Sequence, residues 1–228
     1  IYDYYLYKKK KLYKKNFYSD MIVYKNNIYD IPYLNNYNKA VIFGKGPSFK
    51  SLKKTNNNTL FVCINDTINY IDDADILAMN DIITYDKINN NNLKNVKLIL
   101  TPVYPHDITE KPNKYISVDY VLNKFKNIFN GKIVFYNLKS SPSVDKYINL
   151  DTEITSANNA VEFILNYFTN IKEIEFYGIG IIDGKGYSSI FDKNKKKSLK
   201  LYNKKRISNI RNNIQKLCNN KNKYYNFN

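Results

Sequence analysis

Apolar residues along this chain gather in short continuous runs rather than alternating with polar ones. The runs are Ala40-Val41-Ile42-Phe43, Leu60-Phe61-Val62-Cys63-Ile64, Asp75-Ile76-Leu77-Ala78-Met79, Val96-Lys97-Leu98-Ile99-Leu100, Lys132-Ile133-Val134-Phe135-Tyr136 and Ile174-Glu175-Phe176-Tyr177. Most of them stop at Gly, Asn or Thr-Pro. Runs of this length predict strands buried on both faces. Helical spacing of apolar residues appears between several of them and after the last. It spans Val118 to Phe129, Asn158 to Phe168 with Ser156 as N-cap, and Leu199 to Leu217 within a Lys/Arg-rich envelope. Strands alternating with helices predict an α/β, Rossmann-like fold, a mostly parallel sheet flanked by helices. The Asn runs at 56–58 and 89–92 read as loop tips.

Residues 1–38 differ in composition from the rest of the chain. Tyr2, Tyr4, Tyr5 and Tyr7 precede Lys8-Lys9-Lys10-Lys11 and Lys14-Lys15. We read this stretch as a basic, Tyr/Lys-rich N-terminal arm packed on a single domain at 39–228, with strand-like pieces at Ile22-Val23-Tyr24 and Ile28-Tyr29. Interleaved Tyr and Lys also suit single-stranded nucleic acid or an anionic membrane surface.

The 228 residues carry a net charge of +16, from 36 basic and 20 acidic side chains. Such a field favours anionic partners. The wealth of Asn, Lys, Ile and Tyr is also what AT-rich coding produces, which makes charge a weak guide. Trp is absent and Tyr numbers 23, so tyrosine rings must help fill the core and their hydroxyls need partners there. Cys63 and Cys218 form neither a disulfide framework nor a zinc spacing. Cys63 lies within an apolar run and is expected to be buried. This cysteine usage fits a reducing, cytoplasmic interior. No apolar run approaches the roughly 18 residues of a membrane span.

In open parallel sheets, ligands bind beyond the carboxyl ends of the strands. Those ends carry Gly44-Lys45-Gly46-Pro47-Ser48, Asn65-Asp66, Asn80-Asp81, Tyr104-Pro105-His106-Asp107 and Gly178-Ile179-Gly180. The paired glycines suit a tight turn and close backbone approach to a ligand. Pro47 predicts the first turn of a following helix, whose free N–H groups would hold a phosphate. The turn lacks both the GK[ST] ending of a Walker loop and the third Gly of a dinucleotide fingerprint. Thr155-Ser156-Ala157 places small hydroxyl residues at a second helix start.

Taken together, Gly44-Lys45-Gly46-Pro47-Ser48, Cys63-Ile64-Asn65, Asn80, Thr155-Ser156 and Glu173 to Ile179 resemble the bacterial lipooligosaccharide sialyltransferase family over residues 39 to 192. Tyr187-Ser188-Ser189-Ile190-Phe191-Asp192 is similar to a further segment of that family. The Gly-Pro-Ser turn is also similar to that of the pterin diphosphokinase family and its flagellin-glycosylation relatives. The resemblance implies a glycosyltransferase with a CMP-sugar donor as substrate, a glycan or glycolipid acceptor, and no metal or other cofactor. It implies donor contacts at Gly44, Lys45, Gly46, Pro47, Ser48, Asn65, Asn80, Thr155, Ser156, Ala157 and Tyr187. Lys45 replaces the family's Asn, and Ala157 its Gly. The family's general-base His has no counterpart, because His106 is the only His in the chain. His106, Asp183 and Asp192 are the candidates for that role. Tyr202 and Arg206 are further candidates for contacts to donor phosphate or carboxylate. Two other readings remain open. One is a pterin-type kinase using ATP and Mg²⁺ held by Asp66, Asp81 and Asp183. The other is a catalytically inactive nucleotide-fold module that binds nucleic acid or another partner. An oligomer is compatible with either.

Overall fold

The computed structural model describes residues 20–106, 118–152, 155–180, 187–191 and 204–228. Nine strands form a single sheet among these residues. They are β1 (Ile22–Val23), β2 (Lys39–Phe43), β3 (Thr59–Ile64), β4 (Ile76–Ala78), β5 (Leu98–Pro102), β6 (Lys132–Leu138), β7 (Ile148–Leu150), β8 (Glu173–Tyr177) and β9 (Tyr224–Phe227). Four α-helices accompany them among the described residues: α1 (Ile82–Tyr85), α2 (Val118–Phe125), α3 (Ser156–Tyr167) and α4 (Lys204–Asn220). The strand order is β1-β6-β5-β4-β3-β2-β8-β9, with β7 also on β6. Every pairing is parallel. The Rossmann-like α/β expectation holds.

Each central strand feeds two cores, because successive side chains point to opposite faces. Ala40, Ile42, Leu60 and Val62 meet Val161, Ile164, Ile210 and Ile214 of α3 and α4. Val41, Phe43, Phe61 and Cys63 belong with Val121, Leu122 and Phe125 of α2 on the other face. A strand covered on both sides has no polar face to display, which is why the sequence shows runs and not alternation. Cys63 and Cys218 are both buried thiols, as their neighbours imply. No helix among the described residues is long and apolar enough to cross a membrane.

Several details depart from the sequence reading. From residue 20 onward, the stretch read as an arm is built into the domain. Ile22 and Val23 pair with β6, as the strand-like reading of that piece expects, while Ile28, Ile31, Leu34 and Tyr37 enter the core beside α3. Ile28-Tyr29 lies in a 3₁₀ turn, Lys25–Asp30, rather than in a strand. Tyr2 to Tyr7 and the lysine run fall outside the described residues. β5 starts two residues later than its apolar run, because the Lys97 N–H bonds the Asp75 carbonyl and Val96 N–H closes a turn on Leu93. Thr155, not Ser156, caps α3, with its Oγ1 accepting from Asn158 N–H at 3.4 Å.

A carboxylate anchors the amino edge of the sheet. Asp75 is only 3% exposed. Its Oδ1 accepts from Tyr37 Oη at 2.9 Å and Lys97 Nζ at 2.9 Å, and its Oδ2 from Lys54 Nζ at 2.6 Å and Phe61 N–H at 2.9 Å. One side chain thereby ties β3, β4, β5 and the segment before β2 together. Removing a buried charge partner leaves the others uncompensated. Asp75→Ala is expected to lower unfolding free energy by about 3–5 kcal/mol in urea titration, and Lys97→Met by less, since its side chain is 45% exposed.

Burial pushes many acidic protons upward. The phenols of Tyr33, Tyr85 and Tyr136 sit well above the ordinary 10.0, chiefly through desolvation. The Cys218 thiol is pushed from 9.0 to about 12 by burial alone. Below those ordinary values both states keep their protons and the full stability is present. Above them the unfolded chain ionises first, so stability falls as pH rises further. Urea midpoints should therefore decline above pH 10, and a fraction of the tyrosinate absorbance should appear only together with unfolding.

Candidate functional site

The strand order reverses at β2, whose neighbours β3 and β8 lead in opposite directions along the sheet. Ligand crevices form at such a reversal. Phe43 is in register with both Cys63 and Tyr177, so the segments after β2, β3 and β8 leave the sheet at one level.

The turn after β2 does not start a helix. Phe49 N–H bonds the Gly46 carbonyl at 3.0 Å, making one four-residue turn with Pro47 in its second position. Pro suits that position as well as it suits a helix start. The following residues, Lys50 to Asn58, offer Leu52 as their one apolar side chain, so no helical face is available to bury. The glycine amides are also committed. Gly44 N–H donates to the Tyr177 carbonyl and Gly46 N–H to the Gly178 carbonyl, each at 2.8 Å. Gly178 N–H in turn donates to Ser48 Oγ at 2.9 Å. The expected anion cradle is thus a clasp between two loops.

Two glycines make the clasp feasible. Gly178 has φ +70°, and a Cβ there would overlap the Gly44 carbonyl. A Cβ at Gly44 would meet the Gly178 oxygen at 2.7 Å and the Ile179 side chain.

Lys45 stands above this clasp. Its Nζ lies 2.9 Å from Asp66 Oδ1, an ion pair without hydrogen-bond alignment, each side chain 18% exposed. The same ammonium sits 4.9 Å from the centre of the Tyr187 ring. Ser188 N–H donates to the Lys45 carbonyl at 2.8 Å, so the segment 187–191 runs beside the β2 turn. Phe191 fixes that segment by edge contacts with Phe49 and Tyr70, both at 4.9 Å. Burial raises the Tyr187 pKa, Lys45 and Arg206 oppose that rise, and Asp66 and Asp81 reinforce it. Tyr187 therefore stays a neutral hydroxyl amid charges from four separate segments.

The remaining predicted residues take different places. Asn65 adopts φ +58°, and its Oδ1 accepts from Ser156 Oγ at 3.5 Å, which brings the start of α3 to the end of β3. Thr155 Oγ1 also donates to Asn158 Oδ1 at 2.8 Å, and Ala157 is buried. Asn80 lies behind the crevice, 2% exposed, donating to Asn159 Oδ1 at 2.9 Å and accepting from Tyr136. His106 joins Asp81 in a parallel bridge, with Nδ1 3.8 Å from Asp81 Oδ1 and its backbone N–H on the Asn80 carbonyl at 2.6 Å. Asp107, Asp183, Asp192 and Tyr202 lie outside the described residues.

Sequence reasoning missed the scaffold that aims α3. Glu162, buried on α3, accepts from Asp151 N–H at 2.8 Å, Thr152 N–H at 2.9 Å and Thr152 Oγ1 at 2.7 Å. Asn159 completes it by donating to the Thr152 carbonyl. The available signal was polar residues on a helix face shared with Ala160 and Phe163. Comparison with protein-family models, with curated proteins and with solved structures gives no match.

Gly178→Ala adds a left-handed non-glycine backbone to a backbone overlap. It should cost about 2–4 kcal/mol by denaturant unfolding, and Ser48→Ala about 1 kcal/mol.

Proposed function

We propose that this chain is a sialyltransferase-like glycosyltransferase, moving a sugar from a CMP-activated donor to a glycan or glycolipid acceptor. The observation that carries the reading is the convergence of Lys45, Asp66 and Tyr187 at the carboxyl edge of the sheet, with Asn65 linking the start of α3 to that edge. Asn65, Ser156 and Tyr187 are also among the residues on which the family resemblance rests, whereas Lys45 stands where the family has Asn.

In this reading the donor phosphate takes the place of the Asp66 carboxylate beside Lys45. Transfer breaks the bond between sugar and phosphate, and negative charge grows on the departing CMP. A fixed ammonium and a neutral phenol next to that charge stabilise it in the transition state. The start of α3 adds backbone N–H groups and the positive end of its dipole. The glycines of the clasp act by shape, since their amides bond to Tyr177 and Gly178. His106, beside Asp81, is the described candidate to take the acceptor proton; Asp183 and Asp192 remain the others.

The test is a titration of the full chain with CMP, and separately with ATP plus Mg²⁺, followed by thermal unfolding. CMP release from CMP-sialic acid is measured in parallel. CMP should raise the melting temperature, and Lys45→Ala should weaken CMP about tenfold or more, as loss of a charged hydrogen bond does. Tyr187→Phe should lower turnover about tenfold while retaining CMP binding. A panel of CMP-sugars giving neither binding nor release would remove the reading, and stabilisation by ATP with Mg²⁺ alone would point to the kinase class.

A further inference from the structure

A second concavity lies at the opposite rim, where β5 and β6 begin. Its volume is about 450 Å³, within the range of small-molecule sites. Leu93, Val96 and Ile128 give it an apolar wall, and the Tyr33 ring closes one side. Lys94, Lys97 and Lys132 are among its lining residues with Asn95 and Asn130, and none of its described lining residues is acidic.

Asp75 behind the wall faces two ammoniums, those of Lys54 and Lys97, with a single negative charge. Lys132 Nζ donates to a backbone carbonyl, that of Asp20. Lys97 is held in place by Asp75 and by Tyr37 Oη at 2.7 Å, yet 45% of its side chain remains exposed. Burial works against the Lys97 charge, but the bonds to Tyr37 and Asp75 outweigh it and raise its pKa. Tyr33 is also positioned, donating to the Lys97 carbonyl at 3.1 Å. That carbonyl accepts Lys132 N–H at 2.9 Å as well, which fixes the two lysine-bearing segments relative to each other.

We infer that this cavity is a second binding site, for a small phosphate monoester. Its phosphate meets the ammonium groups of Lys94, Lys97 and Lys132, and its apolar body lies along Leu93, Val96 and Ile128. Three point charges around one concavity suit a group carrying nearly two negative charges and three acceptor oxygens. An open concavity of this volume has room for a small molecule. The inference does not rest on the transferase reading, because the two sites occupy opposite ends of the strands.

The experiment uses ¹⁵N-labelled full chain with phenyl phosphate, inorganic phosphate and phenol as probes. Phenyl phosphate should shift the Asn95, Asn130 and Gly131 amides saturably. Inorganic phosphate should shift the same amides more weakly, and phenol should leave them near their free positions. In Lys94→Gln/Lys132→Gln, phenyl phosphate should bind at least about fivefold more weakly. A charge-matched control, Lys216→Gln/Lys221→Gln, should bind as the unmodified chain does. Non-saturating shifts spread across the lysine surface, or equal weakening in both double variants, would show general attraction to a basic protein and overturn the site. Saturating shifts confined to Gly44, Gly46 and Ser188 would overturn it too, since they place the monoester at the other rim.

Discussion

The hydrogen-bonded clasp between the β2 turn and the end of β8 is the constraint on which the rest of the carboxyl edge depends. Gly44 and Gly46 donate to Tyr177 and Gly178, and Gly178 donates to Ser48. Each bond contributes on the order of 1 kcal/mol net, but together they set the position of a whole rim. With the turn tied to β8, Lys45 is delivered to Asp66, and its carbonyl receives Ser188. Tyr187 and the Phe191 socket follow from that placement. The backbone approach is so close that a side chain at Gly44 or Gly178 would force the loops apart.

The sheet is also anchored at its other end. Asp75 gathers two lysines, a tyrosine and a backbone amide where β3, β4 and β5 begin. A third polar device lies on the carboxyl side, from Tyr136 and Asn80 to Asn159, Thr152 and Glu162. Polar groups buried in this way specify a single arrangement because each has a defined partner. The three devices leave the strands rigid and the polar side chains at both rims at fixed separations.

Charge is distributed unevenly over this frame. At the carboxyl rim, Lys45 is matched by the Asp66 carboxylate. At the amino rim three lysines line the cavity, one of them, Lys97, sharing Asp75 with Lys54. The net charge of +16 is therefore a poor description of either site.

Much of the fold was legible in the chain, and the reason is burial. Strands covered on both faces leave continuous apolar runs, and six of the nine described strands were readable as such runs. β7 and β9 were not, because Ile148–Leu150 and Tyr224–Phe227 are short and mix polar with apolar residues at the margins of the sheet. The placement of Lys45 and Asn65 at strand ends and of Ser156 at a helix start was also readable, since strand ends in a parallel sheet collect on one side; Tyr187 entered only through the family resemblance. What those residues bond to was decided only in three dimensions. Pro47 is compatible with both a helix start and a turn, and the choice fell to the turn when Lys50 to Asn58 offered no face to bury. The glycine amides went to β8 because strand order placed Tyr177 and Gly178 beside them, and strand order is a long-range property that local residue pattern does not encode. The chain alone determined which segments are buried and where polar ends collect; the tertiary structure determined their partners, because hydrogen bonds and ion pairs form between residues as far apart in the chain as Lys45 and Ser188.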